Sequence, residues 1–300
     1  MFTHRRILLS ELADAADMTV LRDVEIAFAG KIPTALECRV VPASSADHLT
    51  AIEAQDGIAA MVVPAALADD VPPYYGLAVS EVPMAALARL QKELSGRENF
   101  QWESFSSQID PSARIHPSAH IAALDVVIGE GTCVGPNAVI QPRSIVGRHC
   151  KIDAGCVIGA EAFEADVTAP GELLQASGGV EIGDHVTLQP NCVVGRASFG
   201  GFTRIGDGSL IDASVSISHD CAIGAAVTIC ANASLSGRVI AGRGAYVGPN
   251  ASVSNGVVLG DKCIVSIGSV VTKAVAPNTR VTGNFAMPHA KWLALIRKFR

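Results

Sequence analysis

From Ile205 to Val271 an aliphatic or alanine residue returns at every sixth position: Ile205, Ile211, Ile217, Ile223, Ile229, Leu235, Ala241, Val247, Val253, Leu259, Val265 and Val271. Four positions after each stands a small or β-branched residue, from Ser209, Val215 and Cys221 through Cys263, Ser269 and Val275. Glycine often follows the aliphatic position, as in "IGDGSL" and "LGDKCI". The same phase begins at Ile109, Ile115 and Ile121, gains one residue before Ile128, and runs on through Val134, Ile140, Val146, Ile152 and Ile158. It returns at Ile182, Leu188 and Val194.

A period of six is neither the helical 3.6 nor a simple alternation. It predicts a parallel β-helix, with one short strand and one turn per hexad and three hexads per triangular coil. The aliphatic residue points inward, the small one fills the corner, and coils pair at about 4.8 Å. About eight coils are expected. Two segments break the register, 159–181 and "FGGFTR" at 199–204, after which the spacing resumes one residue short. Loops leaving a solenoid are where function concentrates.

Before residue 100 the repeat is absent. "HLTAIEAQDGIAAMVVPAAL" reads as helix, turn and buried strand, and "PMAALARLQKEL" has amphipathic helical spacing. The predicted organisation is a small α/β domain over 1–98, a linker over 99–108, the β-helix over 109–284 and a basic helix over 285–300. That last helix, "AMPHAKWLALIRKFR", is expected to cap the open end of the coil.

Composition narrows the class. Of 300 residues 49% are apolar and 17% charged, which suits a globular chain; aromatics are 5% and glycines number 28, which suits repetitive β-structure. A net charge of −6 without a basic patch gives no electrostatic case for nucleic acid. No stretch reaches the length of a transmembrane segment and the N-terminus is a poor signal peptide, so a cytoplasmic protein is expected. Of the eight cysteines no pair has CxxC spacing, and no His/Cys cluster recurs from coil to coil, so free buried thiols and no metal are expected.

One titratable pair stands inside the repeat, in "ISHDCAIG": His219 and Asp220. His219 holds the third position of its hexad, at the turn, and is expected to face outward. Three hexads later, one full coil on, comes Gly237, whose backbone should lie about 5 Å away. Asn137, Asn191, Asn232 and Asn250 recur in turns, where asparagine tolerates left-handed geometry. Asn232 also falls in the "AN" segment near His219.

Three features carry a resemblance: the order of parts, the segment "LIDASVSISHDCAIG", and "VIGAEAF" followed by a loop and "VEIGDHVTLQPNCVVGR". The chain resembles the hexapeptide-repeat acyltransferases, most of all the UDP-3-O-acylglucosamine N-acyltransferase family of lipid A synthesis. It departs from that family in "CRVVPASSADHL", which lacks the aromatics that stack uridine, and in "GAEAFEAD", which lacks a second glycine and phenylalanine. "GSVVTKAVAPNTRVTGNFA" is similar to the end of acetyl-CoA-dependent acetyltransferases of nucleotide amino sugars, and "HDCAIGAAVTICANASLSG" to the lipid A O-acyltransferases.

The resemblance implies a left-handed coil, a homotrimer with sites between subunits, no permanently bound cofactor, and acyl transfer from a thioester to a nucleotide-linked amino sugar for lipopolysaccharide or another surface glycan. It makes His219 the general base and the Gly237 amide an oxyanion donor. Asp220, Phe163 and Asn232 become candidate substrate contacts. Lys273, Arg280, Arg297 and Lys298 become candidate donor contacts, holding either an acidic acyl carrier protein, which is preferred, or coenzyme A. A non-catalytic β-solenoid is the distant alternative; it predicts a regular outer face, which is not found.

Overall fold

The structure, a computed structural model, describes residues 2–3, 5–34, 36–283 and 286–298. Its larger part is a parallel β-helix of three sheets with eight, nine and eight strands. Each circuit visits the three faces in turn. The first face runs from Gln108–Ile109 to Val258–Leu259, the second from Arg114–Ile115 to Arg280–Val281, the third from His120–Ile121 to Val270–Val271. Register follows the hexads: Ile217 pairs with Leu235, Leu235 with Val253 and Val253 with Val271.

The physical cause is the pattern itself. All twelve residues of the row Ile205 to Val271 are buried, as are the corner residues from Ser209 to Val275. Strands of two to four residues bury too little alone. Stacked, they form one continuous apolar core from Val126 to Val275. Turns close in the left-handed region, and Asn137, Asn191, Asn232 and Asn250 take φ of 56°, 63°, 59° and 55°.

The first break is a long excursion between Ile158 on the third face and Ile182 on the first, where a single hexad would otherwise suffice. The second differs from the sequence expectation. Val194 and Ile205 occupy successive faces eleven positions apart, so this step is a hexad with five residues added, not one that falls short.

The N-terminal part is a five-stranded sheet in the order Thr19–Arg22, Gly76–Val79, Ile58–Val63, Arg39–Pro42, Phe28–Ala29. Only the first pair is antiparallel. Helices α1 (Ala13–Ala16), α2 (Ala46–Glu53) and α3 (Pro83–Gly96) accompany it. Helix α3 starts on a proline, whose missing N–H costs nothing there, and buries Ala86, Leu87, Leu90 and Leu94 along one stripe.

The same stripe carries Gln91, fully buried, and beside it is Lys92. Gln91 Nε2 donates to Ser177 Oγ at 2.8 Å and to the Ser198 carbonyl at 3.0 Å. Lys92 Nζ lies 2.5 Å from Asp166 Oδ2 and 2.9 Å from Thr168 Oγ1. Helix α3 therefore fastens both loops that leave the coil.

Helix α4 (His289–Arg297) does not cap the coil. His289 to Leu295 and Arg297 are all exposed, including Trp292, Leu293 and Leu295. The coil end instead opens into a hollow of about 370 Å³ lined by Ser269–Val275 and Val281–Gly283. Phe299 and Arg300 of the expected basic segment lie outside the described residues.

Candidate active site

The turn between Ser216–Ile217 on the third face and Ala222–Ile223 on the first carries His219 and Asp220. Asp220 takes the left-handed turn geometry, φ 58°, which throws its side chain back toward its neighbour. Its Oδ2 lies 2.8 Å from His219 Nδ1, and its Oδ1 accepts the Ser198 N–H at 3.1 Å. The Asp220 N–H in turn donates to Thr203 Oγ1 at 2.9 Å. A carboxylate can only accept, so Nδ1 carries the ring proton and Nε2 keeps its lone pair. Ser198 Oγ, 3.1 Å from Nδ1, braces the same edge of the ring.

Nε2 faces Gly237 of the next coil. A Cβ built on Gly237 would stand 2.6 Å from Nε2 and 2.5 Å from Cε1. Only glycine lets the backbone come this close. The Arg238 N–H bonds the His219 carbonyl at 2.9 Å and fixes the two turns on one another. Asn255, one coil further along the same edge, places Oδ1 3.0 Å from that Cβ position.

The imidazole does not face an open groove, as its hexad position led us to expect. His219 is only 4% exposed, because the chain's own loops fold over it. Glu164, in the first excursion, places Oε2 4.0 Å from Nε2. The same carboxylate pairs with Lys31 Nζ at 2.6 Å and with Arg238 Nη1 at 3.5 Å. Lys31 belongs to the N-terminal part, so the site joins three segments distant in sequence. Next in the chain, burial pushes the Cys221 thiol up to about 12, so it stays protonated and is no competing nucleophile.

The remaining sequence candidates lie elsewhere. Phe163, next in the chain to Glu164, is 82% exposed at the loop surface. Asn232 sits at the turn between the second and third faces, a different edge of the prism, where its N–H bonds the Ala213 carbonyl at 3.1 Å. Lys273 lies just past Val271, on the edge that holds His219, Gly237 and Asn255, three coils or about 14 Å from the histidine. Arg280 is on the second face, with Nε on Ser266 Oγ at 3.1 Å. Arg297 and Lys298 are exposed at the end of α4.

Sequence reasoning missed Lys31, Glu164, Ser198, Arg238 and Asn255. Asn255 was reachable by the same one-coil step that yields Gly237. The three loop residues follow no period, and nothing in their local sequence points at His219. Among the described residues no group of three or more His, Cys, Asp or Glu could hold a metal ion, and no helix is long and apolar enough to cross a membrane.

Comparison with known proteins gives two family profiles. "Bacterial transferase hexapeptide (six repeats)" matches residues 125–160, and "Hexapeptide repeat of succinyl-transferase" matches residues 238–273. A UDP-3-O-acylglucosamine N-acyltransferase of Maricaulis maris is 42% identical over 85 residues, covering 28% of this chain and 24% of that protein. One from Leptothrix cholodnii is 28% identical over 250 residues, 67% of this chain and 70% of that protein. The chain thus spans about a quarter of the first relative's length. A solved UDP-N-acetylglucosamine acyltransferase from Campylobacter jejuni is 23% identical, covering 64% of this chain and 83% of that one, with a TM-score of 0.49.

Proposed function

We propose that this chain, which belongs to the hexapeptide-repeat transferases, moves an acyl group from a thioester to the amine of a nucleotide-linked amino sugar in lipid A or a related surface glycan. The observation that carries the reading is the orientation of His219: Nδ1 tied to Asp220 at 2.8 Å, Nε2 directed at the Gly237 backbone.

A thioester is already activated, so the protein must supply a base and an anion-stabilising donor. The Nε2 lone pair takes a proton as the amine nitrogen attacks the thioester carbon. The carbon–nitrogen bond forms, and the carbonyl oxygen gathers negative charge, which in this reading the Gly237 amide receives. On collapse the carbon–sulfur bond breaks, and the imidazolium returns its proton to the leaving thiolate. Asp220 holds the tautomer and balances the imidazolium charge without taking the proton.

Lys273 marks the donor's approach. In this reading Lys273, about 14 Å up the same edge, takes the phosphate of a pantetheine arm whose thioester reaches His219; its register position on that edge supports this. The exposed apolar residues of α4 beside Arg297 and Lys298 favour an acidic carrier protein as the donor's bearer. Assembly as a homotrimer and a cytoplasmic location are part of this reading. Sedimentation of a monomer alone would remove the inter-subunit part of it.

The test of function offers 3-hydroxyacyl carrier protein and acetyl-CoA together with several amino-sugar nucleotides and identifies products by mass spectrometry. An N-acylated sugar nucleotide bearing the hydroxyacyl chain is expected. Acetylated product alone would select the coenzyme A route, and no acylated product would defeat the proposal.

A further inference from the structure

Glu164 is an unusual neighbour for a general base. Its carboxylate stands 4.0 Å from Nε2, on the side of the ring that an attacking amine must approach. It is held there by two cations, Lys31 at 2.6 Å and Arg238 at 3.5 Å, with all three side chains largely buried. The cations come from separate scaffolds and neither is loose. The Lys31 ammonium lies 6.0 Å above the Phe199 ring. Its segment lies on the coil through Pro33 beside Gly256 and on the second excursion through Leu36 beside Gly201. Arg238 is fixed by the backbone bond of its N–H to His219. Its Nε is buried and has no hydrogen-bond partner in the structure, so Glu164 leaves part of the guanidinium's donor capacity unused. Glu164, by contrast, sits on an excursion from the coil.

We propose that Lys31 and Arg238 form a binding site for a phosphoryl anion, and that the Glu164 carboxylate is its built-in occupant, displaced when the ligand enters. This rests on the acyl-transfer reading and deepens it by naming the residues that hold a substrate phosphate. A phosphoryl group offers more acceptor oxygens than a carboxylate and suits the guanidinium fork, including the unused Nε–H. Displacement of Glu164 also opens the space before Nε2, so substrate binding and exposure of the base are one event. The phosphoryl group has two sources, the diphosphate of a nucleotide sugar or the phosphate monoester of pantetheine.

Calorimetry of the intact chain with inorganic pyrophosphate and with 4′-phosphopantetheine separates them without any turnover. Glu164→Gln keeps the size of the side chain and removes its charge. It should tighten binding of one probe by about tenfold or more. Lys31→Met and Arg238→Gln should each weaken the same probe by at least about tenfold, and the affinity should fall with salt. Tightening for pyrophosphate assigns the site to the acceptor, and tightening for phosphopantetheine assigns it to the donor. If Glu164→Gln weakens both probes or changes neither, Glu164 is a structural strut and the proposal is wrong. Because binding is read directly, failure of acyl transfer with these affinities intact would count against the proposed reaction and leave the anion site standing.

Discussion

The backbone of Gly237 lies so close to the imidazole of His219 that a methyl group there would stand 2.6 Å from Nε2. The contact follows from the register of the coil, which stacks residue 237 on residue 219 one turn of the prism later. Glycine is needed for proximity here, since the position has no left-handed backbone to explain it.

Gly237→Ala is therefore expected to push the ring off its bond to Asp220. The other side of the new methyl is blocked by Asn255 Oδ1 at 3.0 Å, so the methyl cannot simply move aside. Turnover should fall at least about tenfold, the scale of a misplaced catalytic group. Gly96→Ala, where a Cβ meets nothing within 4 Å, is the control and should keep full activity. Equal activity in both variants would mean that the 237–219 approach has no part in the reaction.

His219→Gln retains a polar side chain at the turn and removes the proposed base. Loss of a general base costs about 100-fold to 10,000-fold in rate. Because the change is local to one turn, the thermal midpoint should shift little, and the variant should still bind the probes used for the phosphoryl site. A variant within a few-fold of the parent rate would assign the base elsewhere.

Asp220→Asn isolates the tautomer. An amide can present its N–H to Nδ1, which moves the ring proton to Nε2 and leaves no lone pair for the amine. The predicted loss is as large as that of His219→Gln and falls in kcat rather than KM. Ser198→Ala, which removes only a bracing hydroxyl 3.1 Å from Nδ1, should cost far less. If the two losses are similar, Asp220 is a packing residue and Ser198 does the orienting.

The β-helix was legible because its cause is periodic: each inward residue must match the one a coil away, so the pattern is written into the chain over and over. The His219–Gly237 pairing was legible for the same reason, being a single step of the coil period. The covering of His219 was not. Glu164 and Ser198 lie in the two aperiodic segments, and Lys31 lies in the N-terminal part, far in sequence from the turn that carries His219. Their meeting depends on α3 docking through Gln91 and Lys92, contacts that leave no spacing signature. The exposure of α4 was not legible either, because an amphipathic stripe shows that a face needs covering and says nothing of what covers it.

The inward row allows a prediction of stability. Leu235 is fully buried between Ile217 and Val253. Leu235→Ala removes its apolar atoms and leaves a cavity that neighbouring coils, tied by ladder bonds on both sides, can close only in part. A cost of about 2–5 kcal/mol is expected in denaturant unfolding. A cost below about 1 kcal/mol would mean that the coil collapses freely and that the stack is not close-packed.

The tether of the first excursion should respond to acid. Asp166 has its carboxylate almost fully covered and accepts from Lys92 Nζ at 2.5 Å, Thr168 N at 2.8 Å and Thr168 Oγ1 at 2.6 Å. Burial alone would raise its pKa, but the hydrogen bonds from Lys92 and Thr168 outweigh that and lower it from 3.8 to about 2. A carboxyl with a depressed folded value stabilises above its ordinary value, and that contribution is lost as pH falls from about 4 through about 2. The loop that carries Glu164 should thus loosen from α3 in this window. Hydrogen exchange, corrected for its intrinsic pH dependence, should show faster opening of residues 161–178 toward pH 2 while amides of the coil around Ile217 stay protected. Asp166→Asn should give the same opening at neutral pH. If exchange in 161–178 is unchanged by that substitution, the salt bridge to Lys92 does not hold the loop.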